Sequence, residues 1–522
     1  MSSAAPSVSL AWLLDGIAAL PANDARVNDL TLDSREVRAG CLFFALPGLQ
    51  SHGLAFAAEA VLRGASVVLW DPEGAAAADV PELNGGARVS GGESSGGESS
   101  GGGNAVFAAA VTGLKQLVGR IADRFFGEPS SRLRVVGITG TNGKTTCAYL
   151  LAQSLTRLGV DAAYMGTIGW GRIGALENAV NTTPDAVSVH RQLARMRELG
   201  VSDVAMEVSS HALDQARVAG VRFHAAAFTN LTRDHLDYHR TMEAYAAAKA
   251  RLFAFPGLKD IIINVGDAWG RDWARAYCGT VPLTAVWVGP DDAAWSMRPR
   301  LHADELCFDL TGVSMTLGGS FGAQRLRLTM LGRFNAENCL LVIGCLLSLG
   351  ASLEAAAAAL ADGRPPPGRM EVVAAGVAKP VAVIDYAHTP DALTKALRTL
   401  REHCRGELWC VFGCGGNRDP GKRSLMGSIA EQFADHIIVT DDNPRDEDPG
   451  SIADAIVGGI KTRSARVILD RAVAIATALG EAKPADMVLI AGKGHEDYQI
   501  YGPVRRRFSD RDEALRLLGA AA

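Results

Sequence analysis

Arg134-Val135-Val136-Gly137-Ile138-Thr139-Gly140-Thr141-Asn142-Gly143-Lys144-Thr145-Thr146 is the stretch on which the fold turns. A β-branched run enters a loop of small residues, and a leucine-rich helical pattern (Leu150, Leu151, Leu155, Leu158) leaves it. Strand, glycine loop and helix in that order make the context of a phosphate-binding loop. Glycines let the backbone approach an anion closely, and amides at a helix N-terminus carry partial positive charge. Lys144 suits the outer phosphates, and the Thr145 hydroxyl can complete a Mg²⁺ shell that keeps several waters. Counting back from Gly143, the position of the usual first glycine is Ile138, so the loop is tighter, Gly140 to Thr145. Glycine turns also join strands to helices without binding anything. Lys144 with Thr145 and Thr146 at the helix start favours a nucleotide triphosphate.

Working outward, strands and helices alternate from Leu133 on, which indicates right-handed βαβ units and a mainly parallel sheet. Strands are expected at Asp161–Ile168, Asp203–Val208, Ala225–Thr229 and Ile261–Asn264, with a helix over Ala186–Leu199. Ligand-binding residues belong at the strands' carboxyl ends. The stiff segment Gly363-Arg364-Pro365-Pro366-Pro367-Gly368-Arg369 breaks any helix and marks a domain boundary. Beyond it a second doubly wound sheet is expected, with strands Val381–Asp385, Trp409–Gly413, His436–Thr440, Val467–Leu469 and Met487–Ala491. Before the loop, a small α/β unit carries a polar turn, Gln50-Ser51-His52-Gly53. Residues 85–103, all but devoid of core-forming side chains, are expected to be a flexible surface insertion. The domains are therefore 1–131, 132–364 and 365–522 in an α/β chain.

A net charge of −5 offers no general attraction to nucleic acid or an anionic membrane. The 9 cysteines are scattered singly, without zinc or redox spacing, and an odd count argues against a secreted disulfide framework. The N-terminus has no basic region before its apolar stretch, so no signal peptide is expected. The longest apolar run, Cys339–Leu353, is shorter than the ~20 residues that span a bilayer and is read as a buried helix. A soluble, cytoplasmic protein is expected.

Several polar clusters follow expected strands. Glu207, ahead of Val208-Ser209-Ser210-His211, is placed like a metal-handling acid, with a solvent-facing strand-end glutamate as the plainer alternative. His235 and His239 lie four apart, a spacing that can hold zinc on a helix. No third ligand is evident, and a histidine at a Mg²⁺ or phosphate site is the competing view. Lys249, on an alanine-rich helix, reads as an ordinary solvated lysine. In the last domain the loops around Arg418, Asp442-Asn443-Pro444-Arg445 and Gly492 to Glu496 set arginines beside carboxylates. Such a set suits a zwitterionic amino acid.

Taken together, Gly140–Thr146, Glu207–His211, Asn230 with Asp234–Asp237, Gly332–Asn338 and Asp385–Pro390 resemble the ATP-dependent Mur ligases of peptidoglycan synthesis. The resemblance runs from about Thr31 to Tyr498. Leu32-Asp33-Ser34-Arg35, Asn181–Asp185 and Asp442–Arg445 are similar to the members that add meso-diaminopimelate to UDP-N-acetylmuramoyl-L-alanyl-D-glutamate.

That resemblance implies a UDP-binding first domain, a central ATPase-type domain and a mobile last domain that brings the amino acid. It implies that Leu32, Ser34, Gln50 and Ser51 touch the UDP end, with a polar contact of some relatives in doubt at Leu49. Asn181, Thr182, Thr183, Ser209, Gln215 and Arg217 would hold the muramoyl dipeptide. ATP would meet Gly140, Thr141, Asn142, Gly143, Lys144, Thr145 and Thr146, with Asn335 near adenine and Asp385 reaching in from the last domain. Thr145, Glu207, His235 and a carbamylated Lys249 would serve Mg²⁺. Arg418, Asp442, Asn443, Pro444, Arg445, Gly492 and Glu496 would form the diaminopimelate pocket. Lys144, Glu207, His235 and Lys249 become the catalytic set of a monomeric enzyme with small-molecule substrates and no nucleic-acid or membrane partner. A lysine-adding ligase, a folylpolyglutamate synthase-like ligase and a nucleotide-dependent switch protein remain as alternatives.

Overall fold

The structure, a computed structural model, describes all residues except 1–6, 21–24, 49–50, 76–105, 180, 278–280, 297 and 521–522. Gln50, Leu49 and the glycine–serine insertion at 85–103 therefore lie outside the described residues. The chain forms two compact units, one of residues 1–140, 161–226 and 233–259, the other of residues 141–160, 227–232 and 260–522.

The first unit opens with a parallel sheet whose strands, Asp29–Thr31, Cys41–Ala45, Ala65–Trp70 and Phe107–Ala110, lie side by side in chain order. Every residue of Cys41–Ala45 is buried, as expected of a parallel strand covered on both faces. Alternate side chains divide between two cores. Leu42, Phe44, Val67 and Leu69 pack with Leu114, Val118 and Ile121, while Phe43, Ala45 and Val68 pack with Leu54, Ala57 and Ala60.

The same unit carries Asp203–Glu207 between Arg134–Thr139 and Ala162–Gly166, parallel to both. Glu207 lies level with Ile138 at the strand ends. The helix Ala186–Glu198 starts where Pro184 breaks the preceding chain, and the Asp185 carboxylate accepts from the amides of Val187 and Ser188, both at 3.0 Å. It joins the N-terminal core through Ala186 and Val187. Arg191 fixes it further by pairing with Asp29 at 2.8 Å.

In the second unit Asp260–Asn264, Leu283–Val288 and Arg300–Asp309 run parallel. An antiparallel meander, Arg300–Asp309, Gly312–Gly319 and Gln324–Leu328, completes this part. The expected single helix over Cys339–Leu353 is corrected. One helix, Arg333–Ser348, ends at Gly350, whose φ of +97° suits glycine. Ser352 then caps a second helix, Leu353–Ala361.

The last sheet has six strands. Glu371–Val373 is antiparallel to Val381–Asp385, and Met487–Ala491, Leu408–Phe412, His436–Val439 and Ala465–Val467 follow in parallel order. The strand expected at Val467–Leu469 is shifted to Ala465–Val467. Residues beyond it serve a turn: Leu469 O accepts from Asp441 N, and Asp470 caps the helix Arg471–Glu481. No helix among the described residues is long and apolar enough to cross a membrane.

Candidate active site

The phosphate-type loop is tied down by the segment Thr229–Thr232. Thr141 N donates to Asn230 O at 2.8 Å, and Asn142 N donates to Asn230 Oδ1 at 3.1 Å. The Thr229 hydroxyl donates to Asn142 O at 2.6 Å. Lys144 Nζ folds back onto Thr141 O at 2.9 Å. Gly143 adopts φ +85°, and a Cβ there would lie 2.4 Å from Asn338 Oδ1, so both backbone and space demand glycine. Asn338 Nδ2 donates to Asn335 Oδ1 at 3.2 Å, and Asn335 Nδ2 donates to Leu331 O at 2.8 Å.

Asn142, Gly143 and Thr146 from this loop face a cavity of about 530 Å³, a size suited to a small organic ligand. Phe334, Asn335 and Asn338 form another wall, and Arg369, Asp385, Lys395, Arg398 and Glu402 bring charge to the far side. Asp385 accepts from Met370 N at 2.8 Å, and burial pushes its carboxyl up to about 6. Burial also raises Glu337.

In the first unit Glu207 is fully buried, which removes the solvent-facing alternative. It accepts from the Tyr164 hydroxyl, from Thr167 N at 2.9 Å and from Thr167 Oγ1 at 3.2 Å. A Cβ at Gly166 would meet Glu207 Oε1 at 2.1 Å. Thr182 Oγ1 lies 3.1 Å from Thr167 Oγ1, and Thr183 donates to Glu207 O at 2.8 Å. Arg217 donates to Thr183 O at 3.0 Å and to Gln215 Oε1 at 2.6 Å, while Ser209 caps the helix Ser210–Asp214. Asn181, next to Thr182 in sequence, is exposed. These residues form one polar shelf.

Lys249 is corrected: it is only 1% exposed rather than solvated. The helix Met242–Ala250 turns Tyr245 and Lys249, one turn apart, to its buried face. The ammonium donates to Gly140 O at 2.7 Å and lies 4.6 Å from the Tyr245 ring centre. His211 meets His235 ring to ring at 4.9 Å and His239 at 5.5 Å. Burial first, then its histidine neighbours and Arg217, hold His211 below its ordinary value. His239 is further committed to Ser210 Oγ at 3.0 Å.

The three polar loops of the last domain converge, because their strands are neighbours in the sheet. Lys493 is fully buried and lies 3.5 Å from Asp442, 3.2 Å from Asn443 Oδ1 and 3.1 Å from Glu496. Asn443 Nδ2 donates to Glu496 at 2.9 Å. Arg445 donates to Gly416 O at 2.8 Å. Among the described residues neither Arg418 nor Arg445 pairs with a carboxylate, whereas nearby Arg423 pairs with Glu447 at 2.8 Å. Pro444 and Gly492 are buried within these loops.

In the N-terminal sheet, the Ser34 hydroxyl donates to Glu59 at 2.9 Å. Leu32 is half-buried and Ser51 exposed. Sequence reasoning passed over Tyr164, Thr167 and Lys493. Tyr164 and Thr167 face Glu207, distant in sequence, and Lys493 adds to nearby Glu496 the distant Asp442 and Asn443, which only the fold brings in.

Residues 138–346 match the Mur ligase middle domain, 368–494 the Mur ligase glutamate ligase domain and 26–92 the Mur ligase family catalytic domain. The chain belongs to the Mur ligase family. A UDP-N-acetylmuramoyl-L-alanyl-D-glutamate–2,6-diaminopimelate ligase of Ectopseudomonas mendocina is 45% identical over 504 residues, 96% of this chain and 97% of that protein. One of the same name from Alkalilimnicola ehrlichii is 44% identical over 95% of this chain and 96% of its own length. A solved structure with that enzyme name aligns with TM-score 0.71 at 32% identity, covering 98% of this chain and 99% of that one.

Proposed function

We propose that the protein is the ATP-dependent ligase that adds meso-diaminopimelate to UDP-N-acetylmuramoyl-L-alanyl-D-glutamate, in the cytoplasm and as a monomer. The observation that carries this reading is the pair Arg418 and Arg445, which have no carboxylate partner among the described residues, beside Asp442, Asn443 and Glu496. Arginine grips carboxylates in a two-pronged pair, and the acids receive an ammonium. Lysine has no second carboxylate for Arg445. The identity to named relatives over nearly the whole chain supports the same reading.

In this reading the domains are 1–131, 132–364 and 365–522, and the family matches at 26–92, 138–346 and 368–494 fall one in each. Leu32, Ser34, Gln50 and Ser51 take the UDP end. The shelf of Asn181, Thr182, Thr183, Ser209, Gln215 and Arg217 takes the dipeptide. The cavity beside Gly143, Asn335 and Asp385 takes ATP, with Gly140 to Thr146 around the phosphates.

Mg²⁺ suits the donors present. With nucleotide phosphates it needs only one or two carboxylates, hydroxyls and water, and Glu207, Thr145, His235 and Lys249 as a carbamate would be the residues to hold it. When bound, it neutralises phosphate charge. Lys144 holds the γ-phosphate while the D-glutamyl γ-carboxylate oxygen attacks it, forming an acyl phosphate and releasing ADP. The diaminopimelate amine attacks the acyl carbon, loses a proton, and phosphate departs as the amide forms. Arg418 and Arg445 orient that amine by holding the carboxylates.

The test is ADP release from ATP with the UDP-muramoyl dipeptide, with diaminopimelate, with lysine or with neither. Release should require diaminopimelate. Equal release with lysine would defeat the role given to Arg445. ADP release independent of any acceptor would favour a nucleotide switch.

A further inference from the structure

His403 ends the helix Pro390–His403 in the last domain and is 1% exposed. It lines no part of the cavity, yet both its ring nitrogens are engaged. Gly332 N donates to Nε2 at 2.8 Å, and Nδ1 lies 2.5 Å from Asp309 O. An amide N–H can only donate and a carbonyl can only accept. The ring must therefore be neutral, with its proton on Nδ1 and a lone pair on Nε2. Protonation of Nε2 would set two donors against each other.

Gly332 is the residue from which one cavity wall starts. Its φ is +89°, and a Cβ there would lie 2.5 Å from Thr399 Cγ2, one turn before His403. Its carbonyl accepts from Asn335 N at 3.1 Å and starts the helix Arg333–Ser348, which carries Phe334, Asn335 and Asn338 into the cavity.

We infer that neutral His403 is a positioning residue for nucleotide binding, pinning Gly332 between the helix Pro390–His403 and the turn at Asp309 so that the wall carrying Asn335 and Asn338 is held ready. This rests on the reading of the cavity as the nucleotide site. Burial lowers the His403 proton affinity, in the direction that keeps the ring neutral. The charged groups that act on it are Glu402 on its own helix and Asp309, whose carboxylate is paired with Arg327.

Two substitutions separate the ring's two contacts. In His403→Gln the amide oxygen reaches the place of Nε2 and can accept from Gly332. In His403→Asn the shorter amide reaches only towards Asp309. ADP binding to the full chain, by calorimetry at pH 7.5, should stay within about twofold in His403→Gln and weaken roughly tenfold in His403→Asn. KM for diaminopimelate should stay within about twofold in both. A purely structural role would lower both thermal midpoints and leave the two ADP affinities alike, and that result overturns the inference. Should the Asn variant fail to fold, wild type and His403→Gln are compared at pH 7.5 and 4.5, because burial holds the ring neutral to below the ordinary histidine range. Wild type should lose at least about threefold more ADP affinity over that interval, since only its lone pair is protonated, while Asp385 and the ADP phosphates titrate alike in both. Identical pH profiles overturn the inference. Absence of ADP binding by wild type would instead remove the reading of the cavity itself.

Discussion

Replacing Arg445 with alanine tests the proposed diaminopimelate pocket at the residue proposed to select the amino acid. Arg445 spends one guanidinium N–H on Gly416 O at 2.8 Å, and its remaining donors can take a carboxylate side-on. The backbone is indifferent to the change. The bonds from Arg445 N to Ile500 O and from Gly502 N to Arg445 O are main-chain bonds that alanine keeps. The positive φ of 53° costs alanine what it costs arginine. A hydrogen bond to a charged group contributes about 1.5–3 kcal/mol. For a half-buried, two-pronged pair, about 2–3 kcal/mol in total is reasonable, or about 30- to 150-fold in binding at ~1.4 kcal/mol per decade. KM for diaminopimelate, from ADP release at saturating ATP and UDP-muramoyl dipeptide, should rise by that factor, with KM for ATP within about twofold. Arg445→Lys should fall between, because it keeps the charge and loses the fork. An unchanged diaminopimelate KM in Arg445→Ala, with the thermal midpoint preserved, would refute the placement of the pocket.

Three further substitutions have defined outcomes. Gly143→Ala puts a Cβ 2.4 Å from Asn338 Oδ1 at a φ of +85°; ADP release should fall at least about tenfold, with ~1–2 kcal/mol of stability lost to the left-handed backbone alone. Asp510→Asn strips the buried Arg471 of a carboxylate held at 2.6 Å; urea unfolding should show a loss of about 3–5 kcal/mol. Asp385 has its folded pKa raised from 3.8 to about 6, so the folded chain binds the extra proton and wild type loses stability as pH rises from about 4 through 6. Asp385→Asn should therefore be the more stable protein in urea at pH 7.5, and the gain should vanish near pH 4.

Much of this was legible because short-range chemistry decides it. The loop Gly140–Thr146 announces itself by glycines and a lysine at a helix start. The strands ending at Glu207, Asp385 and Ala491 are apolar runs that fall within a residue of their expected bounds. The meander from Arg300 to Leu328 was missed although Val313, Met315 and Leu317 alternate, since a βαβ rhythm was expected to continue there. Lys249 was misread for a different reason. On an alanine-rich helix no polar face contrasts with an apolar one, so only packing against Gly140 and Tyr245 shows which side is buried. His403 gave no signal because its partners lie far away in sequence, and for Lys493 nearby Glu496 is one partner while Asp442 and Asn443 are distant.

The last sheet gives a physical reason for the proposed nucleotide and amino-acid sites to lie on one set of strands. Asp385 ends the strand Val381–Asp385 and faces the cavity, while its register partner Ala491 leads into Gly492 and Lys493 of the amino-acid loops. Gly492 N donates to Asp385 O at 3.1 Å, so the two loops start from adjacent strand ends. Neighbouring strands are ~4.8 Å apart, and the Gly413 and Asp441 loops follow one and two strands further along. In the proposed function a single carboxyl edge would therefore carry the nucleotide contact at one position and the carboxylate grip within ~15 Å of it. If the reading of both pockets is right, any tilt of this sheet moves the two together. Mutations that loosen the Asp385–Gly492 junction, such as Gly492→Ala at its φ of +115°, should then raise KM for ATP and for diaminopimelate in the same variant, whereas Arg445→Ala raises only the second. Steady-state kinetics on the two variants side by side distinguishes a shared edge from two independent pockets.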